Sequence, residues 1–163
     1  MNNPCLRCTV DQSCCRNLNG LTLNEEEHQR LFSAHSSDFR SAKNGKLYKL
    51  YSDGGESCPH WDGQCQVYES RPMDCDLYPY TIANIFEGKD SVYATFHSRT
   101  ECPLTDELIQ PREQASETIY GFLSKTYGPD VNVTVRYDEG AARAYHLMKR
   151  ATSKLKHSLI NRL

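Results

Sequence analysis

Eight cysteines, Cys5, Cys8, Cys14, Cys15, Cys58, Cys65, Cys75 and Cys102, all fall within the first 102 residues of a 163-residue chain. No later residue is a cysteine. Thiols placed so unevenly restrict the fold more than any other feature, because each has to be buried, bridged or bound. At about 5% of the chain they fall short of the roughly 8–10% typical of a small secreted scaffold built on disulfides. The opening Met-Asn-Asn-Pro-Cys has neither a basic nor an apolar leader region, so a signal peptide is not expected. The expected compartment is therefore cytoplasmic, where thiols stay reduced and clustered cysteines more often hold a metal or do redox chemistry than form bridges.

Their spacing sharpens this. The first knot is Cys5-Leu6-Arg7-Cys8 followed by Cys14-Cys15. A C-x2-C turn lets two thiolates converge on one metal with backbone N–H groups turned towards the sulfurs, a spacing shared by zinc and iron–sulfur sites. Adjacent cysteines point in different directions in extended backbone, so Cys14 and Cys15 serve either two metals or one ligand and one support. The second knot is Cys58-Pro59-His60-Trp61-Asp62-Gly63-Gln64-Cys65. Its Asp62-Gly63 step is a turn signal that brings Cys58 and Cys65 to neighbouring positions. In Ser70-Arg71-Pro72-Met73-Asp74-Cys75, Ser70 reads as an N-cap and Pro72 as part of a first helical turn. That places Cys75 at a helix N-terminus, where positive potential lowers a thiol's pKa. Cys102-Pro103 closes the set with a second Cys-Pro step, a feature of bacterial ferredoxin ligand runs. Eight thiolates suffice for two four-thiolate zinc sites or for one four-iron cluster with four to spare. The Cys-Pro steps and the vicinal pair favour iron–sulfur slightly.

The run Gly63-x-Cys65-x-Val67-Tyr68-x-x-Arg71-Pro72-x-x-Cys75, with C-x2-C and C-C before it and a late cysteine after it, resembles the bacterial cysteine-cluster family of the YkgJ type, described as a zinc- or iron-chelating domain. The resemblance spans roughly residues 5–102. It implies that all eight cysteines form the chelating site, with an iron–sulfur cluster or zinc as cofactor. A related domain occurs in flagellin lysine N-methylases. Two departures stand out. The family writes its first knot C-x2-C-x2-C-C, whereas five residues separate Cys8 from Cys14; and the arginine that commonly follows the R-P-x-x-C cysteine is here Asp76.

Other residues have more ordinary readings. His60 is a candidate ligand within the second knot, set against the commoner role of a turn histidine. His28, His35, His97, His146 and His157 have no partner spacing. Arg71 either contacts sulfur or an anion, or pairs with a carboxylate and fixes the turn, the latter being the usual role. Tyr68 is most simply a core aromatic. Walker, Rossmann and nucleophile-elbow signatures are absent, as is the C-x3-C-x2-C spacing of radical S-adenosylmethionine enzymes.

Three helices are readable. Leu21-Thr22-Leu23-Asn24 leads into Glu25, Glu26 and Glu27 as a capped start, continuing through Leu31 and Phe32 to about His35. Pro111 opens a second, with Ile119, Tyr120, Leu123 and Tyr127 on one face and Gly128-Pro129 as its stop. A third starts near Asp138-Glu139, its Ala141, Tyr145, Met148, Thr152, Leu155 and Leu159 forming an amphipathic stripe. Strands are expected over Lys46 to Tyr51, and over Thr81 to Phe86 and Ser91 to His97, the last two forming a hairpin around Glu87-Gly88-Lys89-Asp90. Val131, Val133, Val135 and Tyr137 alternate as in a half-buried strand. The expected architecture is α+β: a small antiparallel sheet, cysteine-rich metal-binding loops, packed helices and a long C-terminal amphipathic helix.

A single domain is expected over 1–163, with a cysteine-cluster part (1–102) and a helical part (103–163). Residues 1–102 carry ten basic and fourteen acidic groups and residues 103–163 nine and seven. With a pI near 6.3, nucleic acid is not an expected partner, and no apolar run is long enough for a membrane span. The segment 141–163 carries Arg143, Lys149, Arg150, Lys154, Lys156 and Arg162 and no acid. A basic helix there could meet a protein partner, although a solvated face with cations near the C-terminal dipole is the ordinary reading. The leading function is metal binding through thiolates, with a redox, sensing or accessory role. The alternatives are a protein-modifying enzyme resembling the lysine N-methylases, or a structural zinc module presenting the basic helix.

Overall fold

The computed structural model describes residues 18–35, 39–52, 57–98 and 110–141. Strand β1 (Asn19–Asn24) ends where helix α1 (Glu25–Glu27) begins. Asn24 is the pivot: its side chain accepts the Glu27 N–H at 2.9 Å, and Glu27 Oε2 accepts the Asn24 N–H at 3.3 Å. This reciprocal capping box satisfies two donors that a helix start otherwise leaves open. The helical stretch runs on through a π-helical turn (His28–Phe32) and a 3-10 turn (Ser33–His35), burying Leu31 and Phe32. Start and end agree with the sequence reading. The strand immediately before it, in Leu21–Asn24, was read only as a lead-in.

Strands β2 (Arg40–Asn44) and β3 (Leu47–Tyr51) form a hairpin, and β1 adds antiparallel to the other edge of β3, in the order β1-β3-β2. Gly45 makes the tight turn with φ +58°. A Cβ there would collide with the Glu87 carboxylate, so glycine answers both a backbone and a space requirement. Leu18, Leu23, Leu31, Phe32, Phe39 and Leu50 form the core beneath this sheet. The expected strand from Lys46 is present; β2, fully exposed and polar, carries no apolar period to announce it.

After a 3-10 turn (Tyr68–Ser70) and the short helix α2 (Met73–Asp76), strands β4 (Tyr80–Glu87) and β5 (Ser91–Ser98) pair antiparallel as the expected hairpin. Helix α3 (Arg112–Tyr127) leads to β6 (Asn132–Tyr137), which lies parallel to β5. The single small antiparallel sheet expected from sequence is therefore corrected to two three-stranded sheets, the second one mixed. Alternating valines specify a half-buried strand but not its direction. The intervening helix supplies the crossover that a parallel pair requires.

Helix α3 starts after Pro111 and stops at Gly128, whose φ of +97° ends the helical path. Its Ala115, Ile119, Phe122 and Leu123 are buried against Ile82, Val92, Ala94, Phe96 and Val133. Tyr120 is 52% exposed and so does not share the buried face with Ile119 and Leu123; Phe122 and Ala115 take that place. Residues 139–141 begin a helical turn, with Asp138 Oδ1 accepting the Ala141 N–H at 2.8 Å. The rest of the expected C-terminal amphipathic helix, with its basic residues, lies outside the described residues. No helix among the described residues is long and apolar enough to cross a membrane.

Candidate metal centre

The loop from Cys58 to Cys65 is built from short-range hydrogen bonds. The Trp61 N–H donates to the Cys58 carbonyl at 2.8 Å, the Asp62 N–H to Gln64 O at 3.2 Å, and the Gln66 N–H to His60 O at 2.9 Å. Trp61 and Cys65 form an antiparallel bridge across the tip, where Gly63 has φ +72°. The predicted Asp62-Gly63 turn is thus present, and Cys58 and Cys65 are brought within reach of each other's charge. Cys58 and Val67 pack against the core of the first sheet, which anchors the loop.

Cys75 enters from α2, the third of four consecutive helical residues. Pro72, not Ser70, precedes the helix; Ser70 closes the 3-10 turn, and its carbonyl accepts from Arg30 Nη1 at 2.9 Å. Cys75 lies within the electrostatic reach of both Cys58 and Cys65. The Cys58–Cys65 loop and α2 thus bring three thiols within range of one another's charge. Burial pushes the Cys58 thiol up, reinforced by Cys65 and opposed by a hydrogen bond from the His60 backbone. The Cys75 thiol is pushed up more strongly, first by desolvation, then by the Asp74 carboxylate and by Cys58 and Cys65, with Arg71 opposing. Cys75 itself is exposed. The expectation that the helix N-terminus lowers this pKa is overturned. One turn of helix carries little dipole, and a carboxylate sits next in sequence.

Arg71 takes its ordinary role. Its guanidinium donates to Asp76 Oδ1, through Nε at 2.9 Å and through Nη2, and lies 4.1 Å over the Tyr68 ring. Asp76 thus engages the motif's own Arg71. Tyr68 is half-buried beneath that cation rather than deep in a core. His60 Nε2 donates to the Leu31 carbonyl at 2.6 Å, and its ring meets Phe32 and His35 edge-on at 5.1 and 5.4 Å. His28 stacks on Tyr48 at 4.0 Å, and His97 Nδ1 lies 3.1 Å from the Ser98 carbonyl.

Two carboxylates hold the backbone on either side of α2, Asp74 buried and Glu27 half-buried. Asp74 is 7% exposed; its Oδ2 accepts the Thr22 N–H at 2.8 Å and its Oδ1 the Ile82 N–H at 3.5 Å. Glu27 Oε1 accepts the Met73 N–H at 2.8 Å, and burial raises its carboxyl pKa. The capping-box spacing from Asn24 signals Glu27; no sequence signal marks Asp74, which stands at an open position of the R-P-x-x-C run.

Cys5, Cys8, Cys14, Cys15 and Cys102 lie outside the described residues. Among the described residues, no three or more His, Cys, Asp or Glu form a group able to hold a metal ion. Cys58, Cys65 and Cys75 do not by themselves form such a group, although thiolates are the donor type that suits zinc and iron–sulfur clusters.

The CxxCxxCC family model, described as "Putative zinc- or iron-chelating domain", matches residues 4–108, well over half the chain, and the chain belongs to that family. No curated protein and no solved structure matched the chain.

Proposed function

We propose that the chain is a metal-binding protein that chelates iron, as an iron–sulfur cluster, or zinc through Cys5, Cys8, Cys14, Cys15, Cys58, Cys65, Cys75 and Cys102. The observation that carries this reading is that the Cys58–Cys65 loop and the α2 cysteine Cys75 lie within range of one another's charge, in surroundings that raise the Cys58 and Cys75 thiols. Crowded thiols of this kind are costly to ionise without a counter-charge. A cation supplies it, displacing the protons as it binds. Family membership over residues 4–108 supports the same chemistry, and the remaining ligands are drawn from the cysteines outside the described residues.

Of the two metals, the Cys58-Pro59 and Cys102-Pro103 steps and the Cys14-Cys15 pair favour the cluster. The proposed setting is cytoplasmic, and the proposed role is redox, sensing or accessory. Anaerobic purification of the full chain followed by metal and sulfide analysis tests it. Iron and acid-labile sulfide with visible absorption support the cluster, and a colourless protein with stoichiometric zinc supports the zinc site. Serine replacement of Cys58, Cys65 and Cys75 together is expected to lower bound metal and the metal-dependent part of the melting temperature. Unchanged values would rule out chelation by these three.

A further inference from the structure

Three consecutive residues of α2 are each tied to a different part of the molecule. The Met73 N–H is held by Glu27, which also accepts the Asn24 N–H at the β1–α1 junction. Asp74 accepts the Thr22 N–H of β1 and the Ile82 N–H of β4. Cys75 lies within range of the charges of the other two cysteines. β1 belongs to one sheet and β4 to the other, so the Asp74 side chain spans the seam between them. Lys49 Nζ reaches the same seam, at 2.6 Å from Thr22 Oγ1, 3.2 Å from Gly20 O and 3.5 Å from Ile82 O.

A four-residue helix has little rigidity of its own, because helix formation is cooperative and its first turn is unfavourable. The direction of Cys75 is therefore set by the tethers on its neighbours. Asp74 lies nearly free of solvent and holds two backbone donors that helix formation does not require. Its arrangement resembles the outer-shell contacts that orient metal ligands elsewhere.

We propose that Asp74 is a positioning residue for Cys75, and that it links occupancy of the thiolate site to the docking of β1 against β4. This rests on the metal-binding reading above. Restraining Cys75 in the metal-bound state restrains Asp74, and with it the Thr22 and Ile82 amides.

The test uses the full reduced chain under anaerobic conditions, with zinc alone as the probe. Amide hydrogen exchange and a zinc competition titration are the two readouts. In the wild type, zinc is expected to slow exchange at Thr22 and Ile82 several-fold. Cys75→Ser keeps the Asp74 bonds and is expected to abolish that response. Asp74→Asn turns an NH2 group towards one of the two backbone donors, so zinc affinity is expected to fall about 10- to 100-fold in a protein whose circular dichroism is unchanged.

A purely structural clamp would lower the melting temperature in Asp74→Asn but leave the folded protein's zinc affinity intact, and that result overturns the proposal. Should Asp74→Asn not fold, the wild-type comparison decides alone. Zinc binding without any change at the Thr22 and Ile82 amides overturns the positioning role and leaves the metal-binding reading standing. A wild type that takes up neither zinc nor, on reconstitution, iron and sulfide overturns the metal-binding reading and this proposal with it.

Discussion

Gly63 turns the chain between Cys58 and Cys65 with φ +72°, and nothing lies within 4 Å of the place a Cβ would occupy. The penalty for a side chain there is backbone strain alone, so Gly63→Ala is expected to cost about 1–2 kcal/mol. Thermal melts read that cost directly. At the surface, hydrogen bonds from Lys43, Tyr48 and Gln29 hold the Glu25 carboxyl at about 2, below its usual 4.5. A depressed carboxylate stabilises the fold above its unfolded pKa and loses that contribution as pH falls from about 4.5 towards 2. Glu25→Gln is expected to flatten the acid limb of the stability curve in that window. High salt is expected to flatten the wild-type limb too, because the pair is exposed and screened. Acid titrations of both proteins at low and high salt check this. Among single residues, the turn at Gly63 and the cap at Asn24 were legible because their chemistry is local. The burial of Asp74 was not, since the Thr22 and Ile82 amides it holds lie 52 and 8 positions away.

At the scale of elements, α3 is fixed by signals at both ends, Pro111 before it and Gly128 after it. Its hold on the second sheet is a few side chains with no solvent exposure, Leu123 and Ile119 among them. Leu123→Ala is expected to destabilise the protein by about 2–5 kcal/mol, measured by denaturant unfolding, whereas Tyr120→Ala on the exposed side is expected to change little. The sequence reading found the β4–β5 hairpin, α3 and β6 because each has a clear period and clear stops. It missed β1 and β2 for opposite reasons. The apolar residues of β1 run straight into a capping box and read as a helix lead-in, while β2 is polar along its whole length. The parallel pairing of β6 with β5 is a property of the connection between them, invisible in either strand alone.

For the whole molecule, two separate apolar cores lie under two three-stranded sheets. Cys58 packs on the first core and Met73, two residues before Cys75, packs on the second. A metal held between such segments favours the folded state by mass action, so removing the metal with a chelating agent is expected to lower the melting temperature and excess zinc or cluster reconstitution to restore it. The chemical class of the site was legible from thiol spacing, because ligand type and turn chemistry are written locally. The thiols' raised pKa values were not legible, since burial and the Asp74 charge outweigh the short helix that suggested the reverse. The most direct measurement is metal and sulfide analysis, with a visible spectrum, of the full chain purified without oxygen. The account predicts stoichiometric iron with sulfide, or stoichiometric zinc, lost when Cys58, Cys65 and Cys75 are replaced by serine. A chain that carries no metal, accepts neither zinc nor iron and sulfide on reconstitution, and leaves all its thiols open to alkylation would contradict it.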